Sequence, residues 1–197
     1  KQVLYCEELP SEIHAMTAEP VSSVITEFTQ RPAYLPAGSC LPNYKDGNFS
    51  LGDVAYQILP QNVLIPQNED FASRVITVAE KFLGAPYLWG GRTVFGIDCS
   101  GFSQLVFKML GIRLLRDASQ QATQGYVVDF LSEAKAGDLA FFDNAEGRVT
   151  HVGIMLNNHE IIHASGRVKI DRIDDQGIFS GDLKKYTHKL RIIKRYT

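Results

Sequence analysis

The spacing of apolar residues changes once along this chain, and the change limits the folds open to it. Between Asp70 and Gly111 apolar residues recur at helical intervals, whereas beyond Gly137 they alternate with polar ones. In the first stretch Phe71, Val75, Val78, Ala79 and Phe82 share one helix face, with Asn68 or Asp70 as the expected cap and Gly84 as the stop. A second helix follows Asp98, with Phe102, Leu105, Val106, Met109 and Leu110 on its buried face and Gly111 closing it. The alternating stretch predicts strands at 138–143, 149–156, 160–164, 168–172 and 189–195. Helices first and strands afterwards, instead of alternation, argue for an α+β fold with helices packed on an antiparallel sheet.

The N-terminal part reads differently. Turn signals at Pro20, Pro32, Pro36-Ala37-Gly38 and Lys45-Asp46-Gly47-Asn48 separate short apolar runs, predicting strands at 21–26, 33–35, 48–50 and 54–58. A small all-β, barrel-like domain over 1–65 is the expectation, with 60–68 as linker and a second domain over 66–197.

A net charge of −2, with both signs spread along the chain, gives no reason to expect nucleic acid or an anionic membrane as partner. No stretch approaches the roughly 20 apolar residues that cross a bilayer. A start at Lys1 fits a chain processed after export or a trimmed one, and export is favoured over a cytoplasmic location. Three cysteines, Cys6, Cys40 and Cys99, are too few for a disulfide framework or a site built on Cys-x-x-Cys pairs. Pairing of Cys6 with Cys40 would leave Cys99 as the odd thiol, and two ordinary buried thiols are an equal alternative.

Cys99 falls in the first turn of the second predicted helix, behind Asp98 as N-cap and ahead of the small Ser100 and Gly101. Unpaired N–H groups and the helix dipole there favour a thiolate, so the expected thiol pKa is lowered, and the same N–H groups suit an oxyanion. A general base must accompany such a nucleophile. His151 lies in the strand at 149–156, on the face that also carries Gly153 and Met155, and His163 lies in the next strand. An odd-numbered loop centred on Asn157 would set the two histidines opposite each other. A two-residue Asn157-Asn158 loop would put them on opposite faces. His14, His159 and His188 read as surface or turn residues. Two histidines and one cysteine fall short of a natural zinc set, so neither metal nor cofactor is expected.

Several runs together resemble the NlpC-type cell-wall cysteine peptidases: Pro86-Tyr87-Leu88-Trp89-Gly90-Gly91, Phe95-Gly96-Ile97-Asp98-Cys99-Ser100-Gly101-Phe102, Arg116-Asp117-Ala118-Ser119-Gln120, Ala136-Gly137-Asp138-Leu139, His151-Val152-Gly153-Ile154 and Ile162-His163-Ala164-Ser165. The resemblance implies a papain-like domain with catalytic Cys99, His151 and His163. It also implies cleavage of peptidoglycan stem peptides between γ-D-glutamate and a diamino acid, on short muropeptides with a free N-terminal L-alanine. In such enzymes Asp98 and Ser100 would hold the substrate amine, Tyr87 would line the nucleophile's side, and Asp117 and Ser119 would add polar contacts. Asp98 has an equal reading as a plain helix cap, Trp89 reads as packing, and Arg116-Asp117 as an ordinary surface pair. The resemblance further implies a bacterial Src-homology-3-like domain ahead of the peptidase, where Tyr34, Tyr44 and Tyr56 are alternatives for walling the site. It implies a monomer of bacterial origin. The alternatives are an amidase or acyltransferase using the same Cys–His pair, or an inactive cell-wall-binding module.

Overall fold

The computed structural model describes residues 15–28, 30–67 and 69–197, so Cys6, His14 and the Asn68 cap expectation lie outside the described residues. The chain divides into two compact units, Lys1–Pro66 and Gln67–Thr197.

The first unit is all β. Strands β1 (Met16–Thr17), β2 (Val21–Thr26), β3 (Pro32–Pro36), β4 (Asn48–Leu51), β5 (Val54–Ile58) and β6 (Val63–Leu64) form a four-stranded antiparallel sheet, ordered β3-β2-β5-β4, and a β1–β6 pair. Alternation sets β2 with Ser22 and Val24 buried and Val21, Ser23 and Ile25 exposed. Val24 joins Ala15, Leu41, Phe49 and Ile58 in the core, where Tyr56 stacks on Phe49 with centroids 5.1 Å apart. Tyr44 packs on the same cluster, while Tyr34 is exposed. The expected linker is partly structured, since β6 pairs with β1.

In the second unit, helix α1 (Phe71–Glu80) buries Phe71, Val75 and Ala79. Asp70 stands at its N-cap, but at φ 50° its side chain makes no capping bond; its carbonyl instead accepts from Ser73 Oγ at 2.9 Å. Strands β7 (Arg92–Thr93) and β8 (Gly96–Ile97) make a small hairpin before α2 (Cys99–Met109). Helix α2 is buried almost all round, not on one face: Ser103 and Phe107 are fully enclosed along with the expected Phe102 and Val106. Phe107 sets its ring edge-on to Phe71 and Tyr196, at 5.2 and 5.4 Å. Truncating such a ring to alanine costs about 3–5 kcal/mol.

After the short helix α3 (Ala118–Gln121) come β9 (Tyr126–Val128), β10 (Leu139–Asp143), β11 (Val149–Met155), β12 (Glu160–Ser165), β13 (Arg167–Asp174), β14 (Gly177–Ser180) and β15 (Lys185–Arg195). The five strands expected from alternation are present, joined by β9 and β14. All pairings are antiparallel, and β10 pairs with both β11 and β15, so β10 to β15 close into a barrel with β9 along the outside edge of β15. Alternation gives each strand two faces. One is turned into the barrel, where Ala140, Phe142, Met155, Ile161, Ile173, Ile178 and Ile193 form one cluster. The other carries Phe141, Val152, Ile154 and Ile162, all buried, beneath α2. Among the described residues no helix is long and apolar enough to cross a membrane.

Candidate active site

The hairpin between β11 and β12 decides where the two histidines point. Ile154 pairs with Ile162 and Met155 with Ile161, and Leu156 N–H donates to Glu160 O at 2.9 Å. The loop is therefore Asn157-Asn158-His159, odd-numbered as one alternative required, but centred on Asn158 instead of Asn157. Asn157 opens the turn: its Oδ1 accepts the His159 N–H, and its Nδ2 donates to Glu160 Oε2. The shift of centre leaves His151 and His163 on one face but diagonal to each other, not directly opposed. Gly153 is what His163 faces. A Cβ added there would stand 2.9 Å from His163 Cβ and 2.7 Å from Ile161 Cδ1.

Beyond Ile154 the two strands part. The Thr150 carbonyl and Val152 N–H, which would otherwise continue the ladder, meet the Cys99 sulfur instead. Sγ lies 4.0 Å from Thr150 O, and the Val152 N–H is directed at it. The residue between them is His151.

Inside the barrel a chain of polar contacts runs away from the thiol. His151 Nε2 lies 2.9 Å from His163 Nδ1, and His163 Nε2 lies 3.1 Å from Asp171 Oδ2. A carboxylate only accepts, so His163 carries its proton on Nε2 and its Nδ1 accepts from His151 Nε2–H. The neutral His151 then has its lone pair on Nδ1. Asp171 is buried and held in turn, by Lys169 Nζ at 3.0 Å and by the Gly181 N–H, which donates to Oδ1 at 2.9 Å. Although burial opposes its charge, these bonds from His163, Gly181 and Lys169 hold its carboxyl down at about 2. One further residue, unexpected from the sequence, completes the cluster. His188 stacks on His151 with centroids 4.0 Å apart and planes 24° from parallel, and both rings meet Phe142. It is not a turn residue; it sits in β15, half-buried.

Burial is the largest influence on Cys99 and His151 alike. It pushes the Cys99 thiol up, with the Asp98 charge adding to this, and the N–H groups of Val152, Ser100 and Cys99 only partly oppose it. The lowered thiol pKa expected from the helix start is thus overturned, because burial outweighs the first-turn N–H groups. Burial likewise pushes His151 well below the ordinary histidine range, and His163 and His188 add to the effect. Either group alone resists charge, so at rest a neutral thiol lies against the backbone that flanks a neutral imidazole with its lone pair on Nδ1.

Cys99 opens on one side into a cleft of about 400 Å³. Tyr87, Asp98, Ser100, Asp117 and Ser119 line it, as do Trp89 and Arg116. His151 and His163 are not in the lining; they stand within the barrel wall. Trp89 is 86% exposed, so the packing role expected for it does not hold. Arg116 is not a surface pair with Asp117: its guanidinium grips both Asp98 oxygens, at 2.6 and 3.1 Å, and donates to Ser100 Oγ at 2.9 Å. Asp98 also caps α2 through Gly101 N–H at 2.6 Å and anchors the preceding loop through Gly90 N–H at 2.8 Å. Burial pushes its carboxyl up, but the bonds from Arg116, Gly101 and Gly90 prevail and hold it below the ordinary value. Gly101 has no room for a side chain: a Cβ would meet Gly91 O at 2.5 Å.

A sequence model of the NlpC/P60 family matches residues 84–187, more than half of the chain. The chain belongs to that family. A γ-D-glutamyl-L-lysine dipeptidyl-peptidase of Bacillus subtilis is 42% identical over 104 residues, covering 52% of this chain and 35% of the relative. One of the same name from Bacillus cereus is 33% identical over 126 residues, 63% of this chain and 36% of the relative. The chain thus spans about a third of the length of these relatives. Among solved structures, an NlpC/P60 family protein from Bacillus cereus superposes with a TM-score of 0.76 at 25% identity, covering 93% of this chain and 63% of the other. The papain-like α+β fold of the NlpC/P60 domain is accordingly that of the second unit.

Proposed function

We propose that this NlpC/P60 chain is a cysteine peptidase that hydrolyses peptidoglycan stem peptides at the bond between γ-D-glutamate and a diamino acid. The observation that carries the reading is the Cys99 sulfur lying against the backbone on either side of His151, with His163 and Asp171 fixing the tautomer of that histidine. The names of the two Bacillus relatives support the γ-D-glutamyl bond and a diamino acid such as lysine.

In this mechanism His151 Nδ1 takes the thiol proton as Sγ attacks the γ-glutamyl carbonyl carbon, and the His151–His163 contact stabilises the imidazolium that forms. Backbone N–H groups at the start of α2 receive the oxyanion. The imidazolium returns its proton to the departing amine, and water, deprotonated by the same Nδ1, cleaves the thioester. Substrate binding falls to the cleft. Asp98, shared with Arg116, and Ser100 hold a free L-alanine amine; Tyr87, Asp117 and Ser119 supply the remaining polar contacts. We read the first unit as a bacterial Src-homology-3-like module, which its antiparallel strands around Val24, Phe49 and Ile58 support. The substrate places the site of action in the bacterial envelope or on fragments released from it.

Incubation with L-Ala-γ-D-Glu-L-Lys and its diaminopimelate counterpart, read by mass, tests the reading: L-Ala-D-Glu and the free diamino acid are expected. Cys99→Ala abolishes their release. Retained hydrolysis by Cys99→Ala, or transfer to an acceptor other than water, would overturn it. A solved NlpC/P60 relative from Mycobacterium tuberculosis, 22% identical with a TM-score of 0.50, is described as non-catalytic and adapted to peptidoglycan binding. Binding of the tripeptide without turnover would place this chain with that second type.

A further inference from the structure

Inside one end of the barrel, His151, His163 and His188 each offer a ring nitrogen, and these atoms all lie within 4.8 Å of one another. We infer that the three imidazoles form a binding site for a divalent cation of the zinc type, and that an ion held there switches the proposed hydrolase off. The second half rests on the reading above; the first does not.

The donor set fits such an ion. Zinc takes imidazole nitrogens at about 2.0–2.1 Å, which sets three ligands roughly 3.3 Å apart around one ion. His151 Nε2 and His163 Nδ1 are already 2.9 Å apart. His188 is half-buried, and Thr187 Oγ1 meets its Nδ1 at 2.9 Å, which leaves Nε2 for the ion once the ring turns out of its stack on His151. A ligating histidine is ordinarily held by a carboxylate on its other nitrogen. Asp171 stands in that relation to His163: it takes the Nε2–H and leaves the Nδ1 lone pair aimed at the cluster.

The consequence for chemistry follows from the tautomer. For His151 to ligate through Nε2, the proton on Nε2 must move to Nδ1. No net proton is released, but Nδ1, to which the proposed mechanism assigns the thiol proton, now carries an N–H instead of a lone pair, and the thiol has no acceptor. The same ring nitrogens therefore serve either the proton relay or the ion.

The test separates binding from turnover. Cys99→Ala protein, stripped with chelator, is titrated with Zn²⁺ alone by calorimetry, so the thiol cannot be the ligand. One equivalent is expected to bind and to raise the melting temperature, and Cys99→Ala/His188→Phe is expected to bind at least tenfold more weakly. His188→Gln in the same background covers the case in which the Phe variant fails to fold. Equal affinity without His188, or no binding to Cys99→Ala, overturns the site whatever the substrate proves to be. With Cys99 intact, Zn²⁺ should inhibit tripeptide hydrolysis. The concentration for half inhibition should rise at least tenfold in the His188 variants, each measured against its own activity in chelator. An unshifted inhibition curve overturns the switch.

Discussion

Replacing Asp171 with asparagine changes one atom and should invert two tautomers. In the native protein both carboxylate oxygens accept: Oδ1 from the Gly181 N–H, Oδ2 from His163 Nε2–H and Lys169 Nζ. An asparagine must put its NH₂ on one of these sides. Facing Gly181 it meets a donor with a donor, a clash worth about 1–3 kcal/mol for the unmade buried bond. Facing His163 it meets Lys169 Nζ as well, which must withdraw to Asp182, but it donates to Nε2, so the proton of His163 moves to Nδ1, that of His151 moves to its own Nδ1, and the proposed base loses its lone pair. Loss of a hydrogen bond to a charged group costs about 1.5–3 kcal/mol, or roughly 10- to 150-fold in rate. Complete inversion of the base's tautomer costs about 10⁴-fold in the Ser-His-Asp triad. A fall in kcat of about 10²- to 10⁴-fold is therefore expected, with KM little changed because Asp171 does not line the cleft. Asp171→Ala removes the orienting acceptor without supplying a donor, and Lys169 keeps Asp182 at 3.2 Å, so it should be the milder lesion. Steady-state hydrolysis of L-Ala-γ-D-Glu-L-Lys, with melting curves to confirm folding, reads both. A folded asparagine variant within threefold of wild type would refute the relay. So would an alanine variant worse than the asparagine one, since that ordering belongs to lost packing.

Three other outcomes are expected. Gly153→Ala drives a methyl into His163 Cβ and Ile161, costing about 1–3 kcal/mol and lowering kcat; unchanged activity would mean that His163 has freedom the register denies it. Arg116→Met strands the Asp98 carboxylate beneath a half-buried site and should lower the melting temperature by on the order of 5 °C, with a matching loss in kcat/KM; calorimetry and kinetics check each part. Acidification should destabilise the protein between pH 6.5 and 4. His188 is held at about 4, mainly by burial with the His163 and Lys169 charges adding, and His151 and His163 are lowered too, so the unfolded chain binds more protons in that window. Each histidine contributes at most ~1.4 kcal/mol per pH unit, fully in place above pH 6.5 and lost towards the folded pKa. A melting temperature that held or rose on acidification would contradict this.

What the sequence disclosed about the site follows from what periodicity can carry. Cys99 was legible because a capped helix start is a local feature: Asp98, two small residues and a helical run announce it. Whether His151 and His163 share a face was not settled by the sequence, since an odd loop and a two-residue Asn157-Asn158 loop were both open; nor was the offset, since Asn157 could open the turn as well as centre it. Asp171 was hidden by its own strand. In Arg167–Asp174 the residues turned into the barrel begin Arg167, Lys169, Asp171, while Val168 and Ile170 occupy the other face. An apolar alternation that points away from the barrel invites the reverse reading, with Asp171 in solvent. His188 was lost because Lys185 to Lys189 offers no apolar alternation, and the strand there is held by its ladder to β14, itself only Gly177–Ser180.

Barrel closure explains the rest. β11 and β15 are not neighbours: β10 lies between them, pairing with each, so in a flat sheet their side chains would stand almost 10 Å apart. Yet the rings of His151 and His188 stack at 4.0 Å, with Phe142 of β10 against both. Only a sheet curled tightly enough to converge its inward side chains can do this. The curl also demands small residues and bulges, and the β10–β15 ladder shifts register between Phe141 and Phe142, next to that cluster. A thiol at a helix start needs only local sequence. A histidine whose tautomer, burial and stacking are all imposed from neighbouring strands needs the closed barrel, which is why the place of Cys99 could be read from its neighbours and the surroundings of His151 could not.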